Sequence, residues 1–263
     1  MHLRQLTLAE LRRELVLART YFLDFLADQV LYTAGFFLLS GLFFLVASGE
    51  YDRPAQLGLL IGYLTWRVAD GTILRLVRLT ANDAQWGTLE QLVLGPLSLS
   101  QLLTGRVIAL FLYHTGRALI IAVIAILLLQ LRPTITFGAA ILLLITQVGA
   151  WGVGCSLVGL HLVTKSVASV TIGVTTALLF LTGALAPLAA GTPLYYVAQF
   201  LPLSAGIGLL RQAMVEGISF GALLVQPAFY SLLINSSAYL LAGVAVLRWG
   251  ERTALRQGTL AHY

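Results

Sequence analysis

The sequence predicts an all-α integral membrane protein. It has six transmembrane helices, an N-terminal amphipathic interfacial helix, and an outer re-entrant hairpin between helices five and six. Three observations carry this expectation. Apolar residues make up 59% of the 263 residues and charged residues 10%, with a mean hydropathy of +0.90. A soluble domain is about half apolar and about a quarter charged, so this surplus of apolar surface needs lipid around it. The apolar residues are also gathered into runs of the length that crosses a bilayer, about 20 residues of helix. Finally, the basic residues fall between those runs with a one-sided bias that sets an orientation.

The first twenty-odd residues differ in kind from the rest. Leu8, Leu11, Leu15 and Phe22 recur at helical spacing, while Arg12, Arg13 and Arg19 lie mostly off that stripe. Residues 1–25 therefore read as a helix lying in the cytoplasmic interface. No small-residue cleavage site follows a short apolar core, so no secretory signal is expected. Spans are expected at 29–49, 55 to about 76, 107–131, 135–163 and 218–247. Asp24 and Asp28, one helical turn apart at the start of the first span, should cap or solvate it.

Residues 166–210, between Lys165 and Arg211, carry no charge. As one straight helix this stretch would reach roughly 68 Å, about twice the hydrocarbon thickness. Pro187, Pro193 and Pro202, with Gly183 and Gly191, mark where it breaks. One crossing leaves only Arg53, Arg132 and Arg211 outside, against a cytoplasmic majority that includes Arg75, Arg78, Arg106 and Lys165. Two crossings would carry Arg248, Arg252 and Arg256 outside as well. The positive-inside rule selects one crossing and cytoplasmic termini. It leaves 189–217 as an extracytoplasmic hairpin that must pack against protein.

Residues 82–100, between the second and third spans, form a cytoplasmic segment with its own helix signal. Thr88 and Gln91 make a capping box, Leu89, Leu92 and Val93 supply an apolar side, and Gly95-Pro96 ends the helix. A short helix pinned between two membrane helices suits docking to a cytoplasmic partner.

The run Gly87-Thr88-Leu89-Glu90-Gln91-Leu92, followed by Pro96-Leu97-Ser98, closely resembles the signature of the permease subunits of type-2 ABC exporters. A second stretch is similar to that family's fifth helix and outer hairpin. It comprises Thr182-Gly183-Ala184-Leu185-Ala186-Pro187-Leu188, then Leu201-Pro202-Leu203 and Arg211. The family usually carries a charged residue or two just before Gly-Thr-Leu-Glu, where this chain has Ala84, Gln85 and Trp86. The resemblance covers essentially the whole chain and implies one permease domain over 1–263. It implies that Gly87, Thr88, Leu89, Glu90, Gln91 and Leu92 belong to a coupling helix engaging a separate ATP-binding subunit. It also implies a dimer, with a second copy or a related permease, whose second and fifth helices line a path. Thr175, Thr176 and Phe180 are candidate substrate contacts on that path. ATP and Mg would belong to the partner, and neither cofactor nor enzymatic activity is expected in this chain. Consistent with this, the sole lysine, Lys165, precedes Ser166, but Thr164 stands where a Walker A loop needs its second glycine.

Ionisable residues inside the spans are the other candidates. Arg67 and Asp70 lie three apart on one face of the second span, and His114 and Arg117 three apart in the third. Charges at that depth cost several kcal/mol unless paired or hydrated. Asp70 is expected to pair with Arg67 or Arg117, leaving one positive charge for an anionic headgroup or substrate. A neutral interhelical network without substrate contact is the alternative. His161 reads as an interfacial hydrogen-bonding residue, and the histidines are too scattered for a metal site. A lone Cys155 excludes an internal disulfide and a Cys-based zinc site. Gly217-x-Ser219-x-Gly221 matches a nucleophile pattern but opens a membrane helix, so Ser219 reads as an N-cap. Gly149, Gly152, Gly154, Gly159, Ser169 and Gly173 offer small surfaces for close helix packing.

Two transport classes remain open. One is ATP-driven export of a hydrophobic or amphipathic substrate (drug, lipid or lipid-linked glycan), which the few fixed charges in the spans suit. The other is an ion-coupled secondary transporter relaying protons through Asp70, His114 and Arg117. No inverted repeat supports the second, and it gives the Gly-Thr-Leu-Glu segment no role. A scaffold without transport leaves the buried charges unexplained. The formal charge of +5 points to headgroups and topology rather than nucleic acid, because the arginines flank apolar runs.

Overall fold

A computed structural model describes residues 3–46, 52–88 and 98–257, and among these every regular element is helical. The helices are α1 (Leu3–Thr20), α2 (Phe22–Val46), α3 (Arg53–Gln85), α4 (Leu99–Leu129), α5 (Phe137–Thr164) and α6 (Ala168–Leu181). They continue with α7 (Pro193–Phe200), α8 (Ser204–Met214), α9 (Phe220–Leu224) and α10 (Pro227–Gln257). Four of them, α2, α4, α5 and α10, are long and apolar enough to cross a membrane. The pair α7–α8, bent by 98°, would make a fifth if counted as one broken span. Helix α3 carries Arg67, Asp70, Arg75 and Arg78 along its length and falls outside that group. Helix α6 has 14 residues, about 21 Å of helix against about 30 Å of hydrocarbon.

Several boundaries differ from expectation for local reasons. Helix α2 begins at Phe22 rather than 29, because helical backbone bonds run through Tyr21, from Tyr21 N to Leu17 O and from Phe25 N to Tyr21 O. Helix α3 runs on to Gln85, past the end of its apolar stretch, since charged residues continue a helix readily outside an apolar slab. Helix α4 starts at Leu99, where Ser98 and Gln101 form a reciprocal capping box. The last long helix starts at Pro227 rather than 218, because the chain first makes the five-residue α9. Ser219 does stand at the N-cap of α9, but its side chain makes no capping bond.

Helix α3 is the axis of the molecule, buried continuously from Gln56 to Tyr63 and from Thr65 to Ile73. Its contacts fix the direction of every neighbour. Ser40 of α2 bonds Gln56, and Tyr32 bonds Asp70, so α2 is antiparallel to α3. Asp83 meets Arg106 and Gly71 meets His114, so α4 is antiparallel as well. Gln147 Nε2 donates to the Thr65 carbonyl at 2.9 Å and Gly154 abuts Ile73 and Leu76, which makes α5 parallel. Trp66 Nε1 donates to the Thr175 carbonyl at 2.7 Å while Gly62 abuts Ala184, and α6 is antiparallel.

The tightest pair is α5 with α10. Gly152 and Gly159 face Gly243 and Gly250, and a Cβ at any of the four would strike the opposing backbone. Both helices thus carry small residues at a seven-residue spacing, which keeps one seam in contact over two turns. Because 152 pairs with 243 and 159 with 250, α5 and α10 run parallel. The intervening chain therefore makes one net traverse of the bundle, mostly through α6. Helices α7 and α8 do not make a second traverse. They fold back at the end where α5 begins, with Thr134 N bonded to Met214 O and Arg211 donating to the carbonyls of Gly58 and Ala184 at 2.9 and 3.0 Å.

Helix α1 packs along α4 through a row other than its apolar stripe. Its buried residues are Leu6, Glu10 and Glu14, spaced by one turn each. Leu8, Leu15 and Phe22 are exposed on the far side and Leu11 is half-buried. The apolar stripe read from the sequence faces away from the protein, whereas acids face inward because arginines of α3 and α4 await them.

Candidate functional site

The acids of α1 meet two arginines. Glu14 receives a bidentate pair from Arg75, Nε at 3.0 Å and Nη2 at 3.1 Å. Glu10 accepts from Arg106 Nε at 2.8 Å, and Arg106 Nη1 donates to Asp83 at 2.5 Å. Arg106 is buried, and its two carboxylates belong to α1 and to the last turn of α3. Asp83 also accepts from the Thr88 hydroxyl, at its carbonyl (3.1 Å) and its carboxylate (3.4 Å). One guanidinium thus ties α1, α3 and α4 to Thr88, where the segment 89–97 departs. Of the expected coupling residues, Gly87 turns the chain out of α3 with φ +70°. Leu89, Glu90, Gln91 and Leu92, with the expected capping box and the Gly95-Pro96 stop, lie outside the described residues.

One helical length along α3, the expected ionisable residues do come together, with partners the sequence had not supplied. Arg67 Nη1 lies 3.4 Å from Asp70 Oδ2, so the Asp70 partner is Arg67 and not Arg117. Tyr32 hydroxyl donates to the same carboxylate oxygen at 3.3 Å, and its ring lies 3.3 Å beneath the Arg67 guanidinium. Thr175 of α6 donates its hydroxyl to the Ile172 carbonyl at 3.3 Å. Arg117 Nη2 sits 2.7 Å from Asp28 Oδ2, an ionic contact, and its Nε donates to Gln29 at 3.2 Å. Asp28 also lies 3.7 Å from Arg67. The expectation that one positive charge would be left over is therefore corrected, because two arginines meet two aspartates. The physical reason is the early start of α2, which places the half-exposed Asp28 inside the helix and within reach of Arg67 and Arg117.

His114 is buried against Gly71, and neither ring nitrogen has a hydrogen-bond partner among the described residues. No hydrogen bond joins it to Asp70, so the described residues form no relay between them. His161 is buried near the end of α5. The three candidate path residues divide: Thr175 faces α3, whereas Thr176 and Phe180 are exposed on the outer side of α6. No cluster of metal-ligating side chains occurs among the described residues.

The charged residues wall a cleft of about 530 Å3 between α1, α2, α3 and α4. Its floor is Arg67, His114 and Arg117, and its rim includes the exposed Tyr21, Asp24 and Arg78. Such a volume falls within the ordinary range of small-ligand sites, about 300–1,000 Å3. The cleft lining carries fixed charges of both signs, a surface that suits a polar or charged group. No protein-family model matches the chain, and no curated protein matches it.

Proposed function

We propose that this chain is the membrane-spanning permease subunit of an ATP-driven exporter whose ATPase is a separate polypeptide. The observation that carries the reading is the Gly-Thr-Leu-Glu segment leaving α3 at a root held by Arg106. That root lies at the end of the bundle where Lys165 and the C-terminal arginines of α10 also lie, the end assigned to the cytoplasm by the positive-inside rule. An ATPase seated there would push on 89–97, and the buried Arg106 pairs would transmit the push to α1, α3 and α4 together.

Six crossings fit the alternating directions of α2, α3, α4, α5, α6 and α10, with α7–α8 as the outer re-entrant hairpin. In this arrangement the short α6 is completed by the turns after Leu181, whose carbonyl at Ala184 is satisfied by Arg211. The outward apolar stripe of α1 suits a helix lying in the interface with lipid on one side and the bundle on the other. The exposed apolar surface of α2 and α6 suits lipid or a second permease copy. The cargo is hydrophobic or amphipathic, since the buried charges are matched among themselves. The ion-coupled reading is weaker because Asp70 and His114 are not joined.

The reading is tested by co-expressing this chain with the ATPase encoded beside it and purifying through a tag on the permease. Stoichiometric recovery of the ATPase, reduced by Glu90→Ala, is the expected result. Recovery of the permease alone under conditions that preserve its fold would refute it.

A further inference from the structure

We propose that the cleft between α1, α2, α3 and α4 binds a zwitterionic phospholipid headgroup, ammonium toward Asp24 and phosphate toward Arg78. The proposal rests on the membrane-spanning reading and is independent of the ATPase.

The distribution of charge around the cleft selects this ligand class. Its lining contains Arg67, Arg75, Arg78 and Arg117 against Glu14, Asp24 and Asp28, with Asp70 paired behind Arg67. The wall is therefore balanced, which disfavours a purely anionic guest. The signs are separated by element: α2 presents Asp24 and Asp28, and α3 presents Arg75 and Arg78. Most of these groups are spent on one another. Arg67, Arg75 and Arg117 hold carboxylates at 2.7–3.7 Å. Asp24 and Arg78 are the two that make no ion pair among the described residues, and both are exposed at the rim. A ligand bearing one positive and one negative group would complete both.

A second observation points into the same cleft. His114 lines the floor, is 6% exposed, and has both ring nitrogens unpartnered. A buried polar group without a partner is destabilising, and a ligand oxygen or amine entering the cleft would supply the partner. The surroundings fit an amphiphile. The exposed stripe of α1 sets the rim at the depth of the interface, and the outer face of α2 beside it is apolar, with Leu23, Leu26 and Leu31 exposed. Acyl chains would lie there while the headgroup entered between α2 and α3.

The test uses the full chain purified in detergent and titrated with dihexanoyl phosphatidylethanolamine, dihexanoyl phosphatidylglycerol, free phosphoethanolamine and inorganic phosphate, each read by thermal stabilisation. The first lipid should bind at least about tenfold more tightly than each of the other three. Arg78→Gln and Asp24→Asn, both at exposed rim positions, should each weaken it by about tenfold. Arg252→Gln, on α10 and outside the cleft lining, should not. Equal or tighter binding of phosphatidylglycerol would overturn the zwitterion assignment. Binding of free phosphate or phosphoethanolamine as tight as the lipid would show a small-anion or small-amine site instead. Unchanged affinity in both rim variants would place the lipid elsewhere and refute the proposal. Recovery of the chain from the soluble fraction without detergent would remove the membrane reading, and this proposal with it.

Discussion

Replacing Arg106 by Gln removes the guanidinium that Glu10 and Asp83 share and leaves two carboxylates facing each other across the α1–α3–α4 junction. The arginine side chain is 4% exposed and each carboxylate side chain 11%. Breaking a buried pair by removing one partner costs about 3–5 kcal/mol. Glu10 retains Arg13 at 3.2 Å and Asp83 retains the Thr88 hydroxyl, so the lower figure applies. A loss of about 3 kcal/mol corresponds to a fall in apparent Tm of roughly 6–12 °C for a chain of this size. Tryptophan fluorescence of the detergent-purified protein at a fixed heating rate measures it. Adding Glu10→Gln to Arg106→Gln should restore part of the loss, with a coupling of at least about 1 kcal/mol in the double-mutant cycle. An Arg106→Gln protein that melts within about 1 °C of wild type, or strictly additive variants, would refute the hub.

Three further outcomes follow from contacts elsewhere. Gly250→Ala drives a methyl into the Gly159 backbone and should cost about 1–3 kcal/mol, whereas Gly173→Ala, where a Cβ meets nothing, should leave the apparent Tm unchanged. Asp28→Asn strips Arg117 of its carboxylate and should lower the apparent Tm, and a second change, Arg117→Gln, should recover part of the loss in the same melting assay. Arg211→Met leaves the carbonyls of Gly58 and Ala184 without their donor, a loss of about 2 kcal/mol. It should appear as faster hydrogen exchange over 182–203 and not over α5.

The long apolar helices were legible because about 20 apolar residues have few other homes. So were the small residues of α5, which are useful only against another backbone. The arginines of the last helix are what favoured a single crossing of 166–210, and α5 and α10 run parallel along their glycine seam. What escaped reading was pairing across long separations. Glu10 and Glu14 share a turn-spaced row with Leu6, but the competing row Leu8, Leu11 and Leu15 is more apolar, so the pattern alone does not mark the acidic row as the one packed against protein. Choosing between them requires knowing that Arg75 and Arg106 lie opposite. Asp28 reads as a helix-start acid only when the span begins at 29, whereas α2 begins at Phe22. Pro227 was a start signal for the last helix that the apolar run before it obscured. Ser98 and Gln101, a capping box as good as the one expected at Thr88 and Gln91, also went unread.

The central claim is that an ATPase drives this bundle through the segment at Glu90. Vanadate-sensitive ATP hydrolysis in proteoliposomes containing this chain and the ATPase encoded beside it tests that claim most directly. Hydrolysis should require both chains and fall with Glu90→Ala while the complex remains folded. ATP hydrolysis indifferent to this chain, together with transport by this chain alone driven by a proton gradient, would contradict it.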